Sequence, residues 1–183
     1  MKRVVLVDQE DKEIGQLEKK EAHFGAGRLH RAFSVFIFNN QGELLIQKRA
    51  ASKMLWPGYW SNTCCSHPGP GEEVIEAGRR RLQEELNFSC PLEKFGSFVY
   101  SARFKDIGSE NEFCHVLVGR YDGTVNPDPT EIEEIKWMAL SEIMEEVEKK
   151  PEQWTPWFKM EIKKFFSDDN NELRGVFKNN ESS

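Results

Sequence analysis

Residues 72–86 (EEVIEAGRRRLQEEL) constrain the fold most strongly. Val74, Gly78, Leu82 and Leu86 recur at four-residue spacing while charge fills the other positions, the pattern of an amphipathic helix with one apolar stripe to bury. Strands surround it. Residues 3–8 and 13–19 resemble a hairpin joined through the acidic turn 9–12, and 30–38 (HRAFSVFIF) is rich in aromatic and β-branched residues. Asn39-Asn40-Gln41-Gly42 is a turn sequence leading into a strand at 43–50. Residues 51–71 read as a long loop holding Trp56-Pro57-Gly58, Trp60, a Cys-Cys pair and His67, a density of special residues that points to function. Further strands are expected at 95–104, 112–121 and, after a Pro/Asp turn at 126–130, at 134–140. Ser141 is expected to cap a short acidic helix, and Trp154, Trp157, Phe158, Ile162 and Phe165 to form the apolar stripe of a last helix. This order predicts an α+β or mixed α/β sandwich: one domain over 1–166, then a polar, flexible tail at 167–183.

The charge excludes some partners. A net charge of −6 disfavours a general nucleic-acid binder. Residues 131–152 carry 3 Lys+Arg against 8 Asp+Glu, whereas residues 1–130 carry 17 against 18, so bases in the earlier part are free to meet an anion. No run approaches the roughly 18–20 apolar residues of a membrane span. The amino terminus turns acidic too soon for a signal peptide, and Cys64, Cys65, Cys90 and Cys114 do not read as a secreted disulfide framework. A soluble cytoplasmic protein with no nucleic-acid or membrane partner is expected.

Four places could carry chemistry. Glu110 and Glu112 lie two apart in a strand and project together, with Cys114 on the same side and Asn111, Phe113 and His115 on the other. Paired carboxylates repel unless a cation or shared proton relieves them, although a solvated strand edge explains the pair equally well. His23, His30 and His67 fall in polar or turn contexts; with the two glutamates they would make a five-ligand N/O site suited to Mn²⁺, Zn²⁺ or Mg²⁺. No local spacing unites them, and a lone histidine is more often structural, as His115 is taken to be. Cys64-Cys65-Ser66-His67 could supply a nucleophile or acid/base group, or simply two small buried side chains, the reading kept for Cys90 and Cys114. Arg79-Arg80-Arg81 with Glu84-Glu85 give i,i+4 pairs on a solvated helix face, or else carboxylates for Mg²⁺ beside arginines for phosphate.

Together these segments resemble the type I isopentenyl-diphosphate isomerases, a branch of the Nudix superfamily. The resemblance is carried by EAHFGAGRLHRAFS (21–34), QKRAASKMLWPGYWSNTCCSHP (47–68), RRRLQEEL (79–86), SENEF (109–113) and QWTPWF (153–158). It implies a Nudix-type mixed β-sheet sandwiched between helices, with added amino-terminal strands and a carboxy-terminal helix. The Nudix box is degenerate: Ser66 and Asn87 replace glycines and Arg81 replaces a glutamate. Losing that metal ligand counts against the alternative of a Nudix diphosphohydrolase acting on a nucleotide-like substrate.

By the same resemblance, His23, His30, His67, Glu110 and Glu112 bind a divalent metal, Mn²⁺, Zn²⁺ or Mg²⁺. Cys65 and Glu112 are catalytic, with Tyr100 beside the glutamate and Trp157 in the active site. Lys19, Arg49, Lys53 and Arg81 form a cradle for the substrate diphosphate, and Glu85 binds a Mg²⁺ that arrives with it. The implied reaction is the reversible 1,3-allylic proton shift between isopentenyl and dimethylallyl diphosphate, catalysed by a monomer. A non-catalytic metal-bound binding module is the remaining alternative, made improbable by the intact Cys65, Glu112, Tyr100 and Trp157 set.

Overall fold

The structure, a computed structural model, describes residues 3–166; the tail expected at 167–183 lies outside the described residues. The hairpin of β1 (Arg3–Val7) and β2 (Glu13–Glu18) forms as expected and runs into a four-residue helix, α1 (Lys19–Ala22). The central strand is β3 (His30–Phe38), followed by β4 (Leu44–Arg49). Two short strands, β5 (Trp60–Ser61) and β6 (Cys64–Ser66), lie within the segment expected to be a loop. Then come α2 (Val74–Leu86), the long hairpin of β7 (Leu92–Phe104) and β8 (Gly108–Arg120), and β9 (Ile132–Met138). The described chain closes with α3 (Leu140–Lys149), a 3₁₀ turn (Pro151–Gln153) and α4 (Pro156–Phe165).

All nine strands join one mixed sheet. β8 runs parallel to β3 over the whole length of β3, from His30↔Glu112 to Phe38↔Arg120, and antiparallel to β7. β3 also pairs with β1, β6 and β4 in turn, so the Cys-Cys segment is drawn against the central strand at Ser34↔Cys65 and Val35↔Cys64.

Alternation sends side chains to two cores. Phe33, Val35 and Ile37 of β3, with Leu117 of β8, pack under the predicted stripe of α2, where Val74, Leu82 and Leu86 are buried. Gly78 is required there, because a Cβ would lie 2.8 Å from Leu117 and 2.9 Å from Leu92. α2 ends on Asn87 in the left-handed region (φ 59°), a residue type that tolerates it. On the opposite face, Phe36, Phe38, Val116 and Val118 pack beneath Phe158, Ile162 and Phe165 of α4. No helix among the described residues is long and apolar enough to cross a membrane.

Some boundaries differ from expectation. β8 begins at Gly108, so Glu110 and Glu112 lie inside a strand, not at its opening. Ser141 does not cap α3: Ala139 alone links β9 to the helix and occupies the cap position, leaving Ser141 in the first turn. Trp154 is not on α4 but pairs with Trp60 in an isolated bridge, and the helix starts at Thr155-Pro156, where proline fits the first turn.

Candidate active site

A cavity of about 320 Å³ opens on the α4 side of the sheet. Glu112, at the centre of the pairing pattern, is its organising residue. Tyr100 sits directly opposite it on β7 and donates its phenolic O–H to Glu112 Oε2 at 2.6 Å. On the parallel side Glu112 faces His30, whose Nε2 lies 3.6 Å from Oε1, and His67, just beyond β6, places Nε2 2.8 Å from the same oxygen. His23, the C-cap of α1 at the start of the glycine-containing turn, has Nε2 2.9 Å from Glu110 Oε2. The three imidazole centroids are 4.7–5.1 Å apart.

The cluster has the chemistry of a metal site. One donor atom from each of His23, His30, His67, Glu110 and Glu112 lies within 4.8 Å of every other. Nδ1–H of His23 donates to the Lys19 carbonyl and Nδ1–H of His30 to the Arg28 carbonyl, both at 2.6 Å. Those bonds leave each Nε2 aimed at the centre, the arrangement that usually orients ligating histidines. His30 Nε2, His67 Nδ1 and Glu110 Oε2 are buried without a hydrogen-bond partner. A divalent cation fits this donor set and relieves the paired carboxylates. Burial opposes charge on His23, but Glu110 outweighs it and raises the imidazole above its ordinary value; burial drives His67 well below.

Cys65 is half-buried on the cavity wall, whereas Cys64 points into the α2 core, as alternation along β6 requires. Burial pushes the Cys65 thiol up to about 12, with Arg49 pulling the other way. Burial also raises Glu112, but the nearby His30 imidazole and the Tyr100 hydrogen bond outweigh it and hold the carboxyl below its usual range. Burial and Glu112 hold the Tyr100 phenol well above its ordinary value, so it remains a donor.

Arg49 is fully engaged. Nε and Nη2 donate to the carbonyls of Trp56 (3.0 Å) and Leu55 (2.9 Å), Nη1 reaches Cys65 Sγ (3.8 Å), and the guanidinium lies 5.3 Å from the Trp157 ring centroid. The left-handed backbone of Trp56 (φ 48°), strained for an aromatic residue, belongs to this clamp. Trp157 is held by Nε1–H donating to Ser61 Oγ (3.0 Å) and Asn62 Oδ1 (3.2 Å), with Trp56 edge-on at 5.3 Å.

The remaining cations lie towards a second cavity of about 310 Å³, which shares Lys19, Lys53, Cys65, His67 and Glu131 with the first. Lys19 is lowered by burial and by Lys53, against Glu110. Lys53 pairs with Glu131; burial works against that carboxylate, but Lys53 and Arg81 bring it down to about 2. Arg81 lines only the second cavity and is bound by Glu84, Glu85 and Glu131. Glu85 is 3% exposed beneath Arg81 and lines neither cavity.

The candidates therefore converge, apart from Glu85 and, at one remove, Arg81. Sequence reasoning missed Ser34 on the cavity wall, the Ser61–Asn62 anchor, the Leu55–Trp56 clamp and Glu161. Of these only Glu161 left a signal, as an acid four residues after Trp157 on an apolar helix face. His115 is structural as expected, meeting Asp11 at 2.9 Å on the far side of the sheet.

A profile of the NUDIX domain matches residues 28–158. The chain is 47% identical over 156 residues to an isopentenyl-diphosphate Delta-isomerase of Burkholderia multivorans, covering 85% of this chain and 88% of that one. It is 49% identical over 156 residues to isopentenyl-diphosphate Delta-isomerase 1 of Aromatoleum aromaticum, covering 85% and 87%. Among solved structures, a protein from Deinococcus radiodurans superposes with a TM-score of 0.74 at 23% identity, covering 91% of this chain and 100% of that one. A MutT NUDIX hydrolase from Burkholderia pseudomallei superposes with a TM-score of 0.61 at 17% identity, covering 76% and 99%. At these identities the structural likenesses speak for the fold alone.

Proposed function

The chain belongs to the type I isopentenyl-diphosphate isomerases of the Nudix superfamily, and from that premise we propose how its residues divide the interconversion of isopentenyl and dimethylallyl diphosphate. The supporting observation is that Cys65, Glu112, Tyr100 and Trp157, from four separate elements, line one cavity. Protonating an unactivated alkene creates a tertiary carbocation that water would capture. The site must therefore be closed and lined by groups that stabilise charge without attacking it.

In the forward direction Glu112 gives its proton to the terminal CH₂ carbon, leaving the cation at C3. Cys65 as thiolate removes a proton from C2, whose C–H electron pair becomes the new double bond. The face of Trp157 stabilises the cation by about 2 kcal/mol once desolvated, and Tyr100 orients the Glu112 carboxyl. The reverse reaction starts with the proton on Cys65 and a carboxylate at Glu112. Burial disfavours the Cys65 thiolate, whereas Arg49 and Lys53 are the cations that favour it, and before each forward turnover the proton must pass to Glu112.

His23, His30, His67, Glu110 and Glu112 hold a divalent cation in this reading, Mn²⁺, Zn²⁺ or Mg²⁺, which supplies positive charge against the paired carboxylates. Lys19, Arg49, Lys53 and Arg81 bind the diphosphate, whose binding energy holds the alkene between the two catalytic residues. We assign Glu85 to the Mg²⁺ that accompanies the diphosphate, which it would hold beside Arg81. The chain acts as a monomer in the cytoplasm.

Incubation with isopentenyl diphosphate and Mg²⁺ should yield dimethylallyl diphosphate without free phosphate. Phosphate release with no double-bond shift would replace this reading with diphosphate hydrolysis.

A further inference from the structure

Glu161 is a buried acid that the reaction scheme leaves unused. It lies one turn after Trp157 on α4, so the two side chains share a face, and it is 0% exposed. Its Oε1 accepts a hydrogen bond from the Cys114 thiol at 3.7 Å, and the Ser34 hydroxyl, in contact with that thiol, also acts on the carboxyl. Its Oε2 is buried without a partner. Ser34 Oγ and Cys114 Sγ are themselves 3.5 Å apart. Both are tied to the site. Ser34 lines the cavity and pairs with Cys65 across the β3–β6 ladder. Cys114 follows Glu112 by two residues on the same face of β8.

We propose that Glu161 is a positioning residue for the isomerisation: through Ser34 and Cys114 it ties the helix carrying Trp157 to the strands carrying Cys65 and Glu112. The proposal rests on the isomerase reading above.

The groups around Glu161 explain why an acid can serve there. Glu112 and Cys114 face it from β8 and Ser34 from β3, with Tyr100 of β7 held on Glu112 and Cys65 of β6 acting on Cys114. None of these side chains is a cation, and the proposed divalent ion would reach Glu161 only past the Glu112 carboxylate that holds it. Burial is the largest influence and Glu112 adds to it, against Ser34 and the Cys114 hydrogen bond, lifting the carboxyl to about 8. The shift favours the neutral acid, which needs no counter-charge and still accepts the Cys114 thiol. An ionised carboxylate would draw water to the wall of a cavity that must exclude it.

Two variants test the role. Glu161→Gln keeps size, neutrality and hydrogen bonding, whereas Glu161→Leu keeps only bulk. At pH 7 the Gln variant should retain kcat within about threefold, and the Leu variant should lose about 10- to 100-fold with little change in KM, the range seen when a supporting partner is removed. As pH rises through about 8, wild-type kcat should fall relative to that of the Gln variant. The melting temperature of the Gln variant should also gain on wild type as pH rises from 4.5 to about 8, because over that range the unfolded glutamate has released its proton while the native one still holds it.

The proposal is overturned by wild-type kcat in the Leu variant, by a Gln variant as impaired as Leu, or by identical kcat–pH profiles for Gln and wild type. If the Leu variant does not fold, the Gln profiles decide. If wild type shows no isomerisation at all, the isomerase reading fails instead, and the melting comparison still reports whether Glu161 is held neutral.

Discussion

The two faces of the central sheet are built by the same strands and differ in what they leave unsatisfied. Under α2, Phe33, Val35, Ile37 and Cys64 meet an apolar stripe and a glycine and pack into a continuous apolar core, with Arg81 and Glu85 at its edge. Under α4, the alternate residues Ser34 and Cys65 meet Trp157 and Glu161, beside buried imidazoles and carboxylates with unpartnered atoms. Buried polar groups without partners are costly, so a face that retains them is built for something other than stability. The adjacent cysteines state the contrast most sharply, since one peptide bond separates a core residue from one on the cavity wall.

The cysteine contrast predicts the largest effect. Cys65→Ala and Glu112→Gln should each lower kcat by about 10²–10⁴-fold with diphosphate affinity largely intact, because each removes a proton-transfer group. Cys64→Ala should instead leave turnover close to wild type and cost stability, by about 1 kcal/mol in denaturant titration. Equal kinetic damage from the two cysteine variants would erase the distinction between the faces. Metal removal comes next: chelation should abolish most turnover, Mn²⁺, Zn²⁺ or Mg²⁺ should restore it, and His30→Ala should lower the bound metal measured by elemental analysis.

Arg49→Ala should raise KM and lower kcat together, by about 10-fold or more, because the guanidinium both faces the substrate cavity and clamps Cys65 and Trp157. A change in KM alone would make it a phosphate ligand only. Ser61→Ala, which removes one anchor of the Trp157 indole, should cost kcat about two- to tenfold, the worth of one hydrogen bond. The smallest effect is on stability. Glu131 is depressed to about 2, so its stabilising contribution is present above 4.5 and is lost as pH falls between those values. Glu131→Gln should flatten that acid limb by about 1 kcal/mol, the scale of a partly exposed ion pair.

Much of this arrangement was legible in the chain. The helical stripe of α2 and the strand at 30–38 were readable because their periods are local, and the β8 alternation correctly placed Glu110, Glu112 and Cys114 on one side. The segment 51–71 was misread as a loop because Pro57, Gly58 and Pro68 obscure two strands of only two and three residues, which form by pairing with β4 and β3. The histidines had no common spacing to find. His23 and His67 are brought together by a helix terminus and by the docking of β6, which are contacts between distant parts of the chain.

By itself the sequence determined which residues share a face, because side-chain direction follows from the backbone period of each element. Its motifs also determined the family. Only the tertiary structure decided which faces meet, since strand order is a property of long-range pairing. Proton affinities were decided there too: the same thiol and carboxyl groups titrate ordinarily in water, and burial beside particular charges lifts Cys65 to about 12 and Glu161 to about 8.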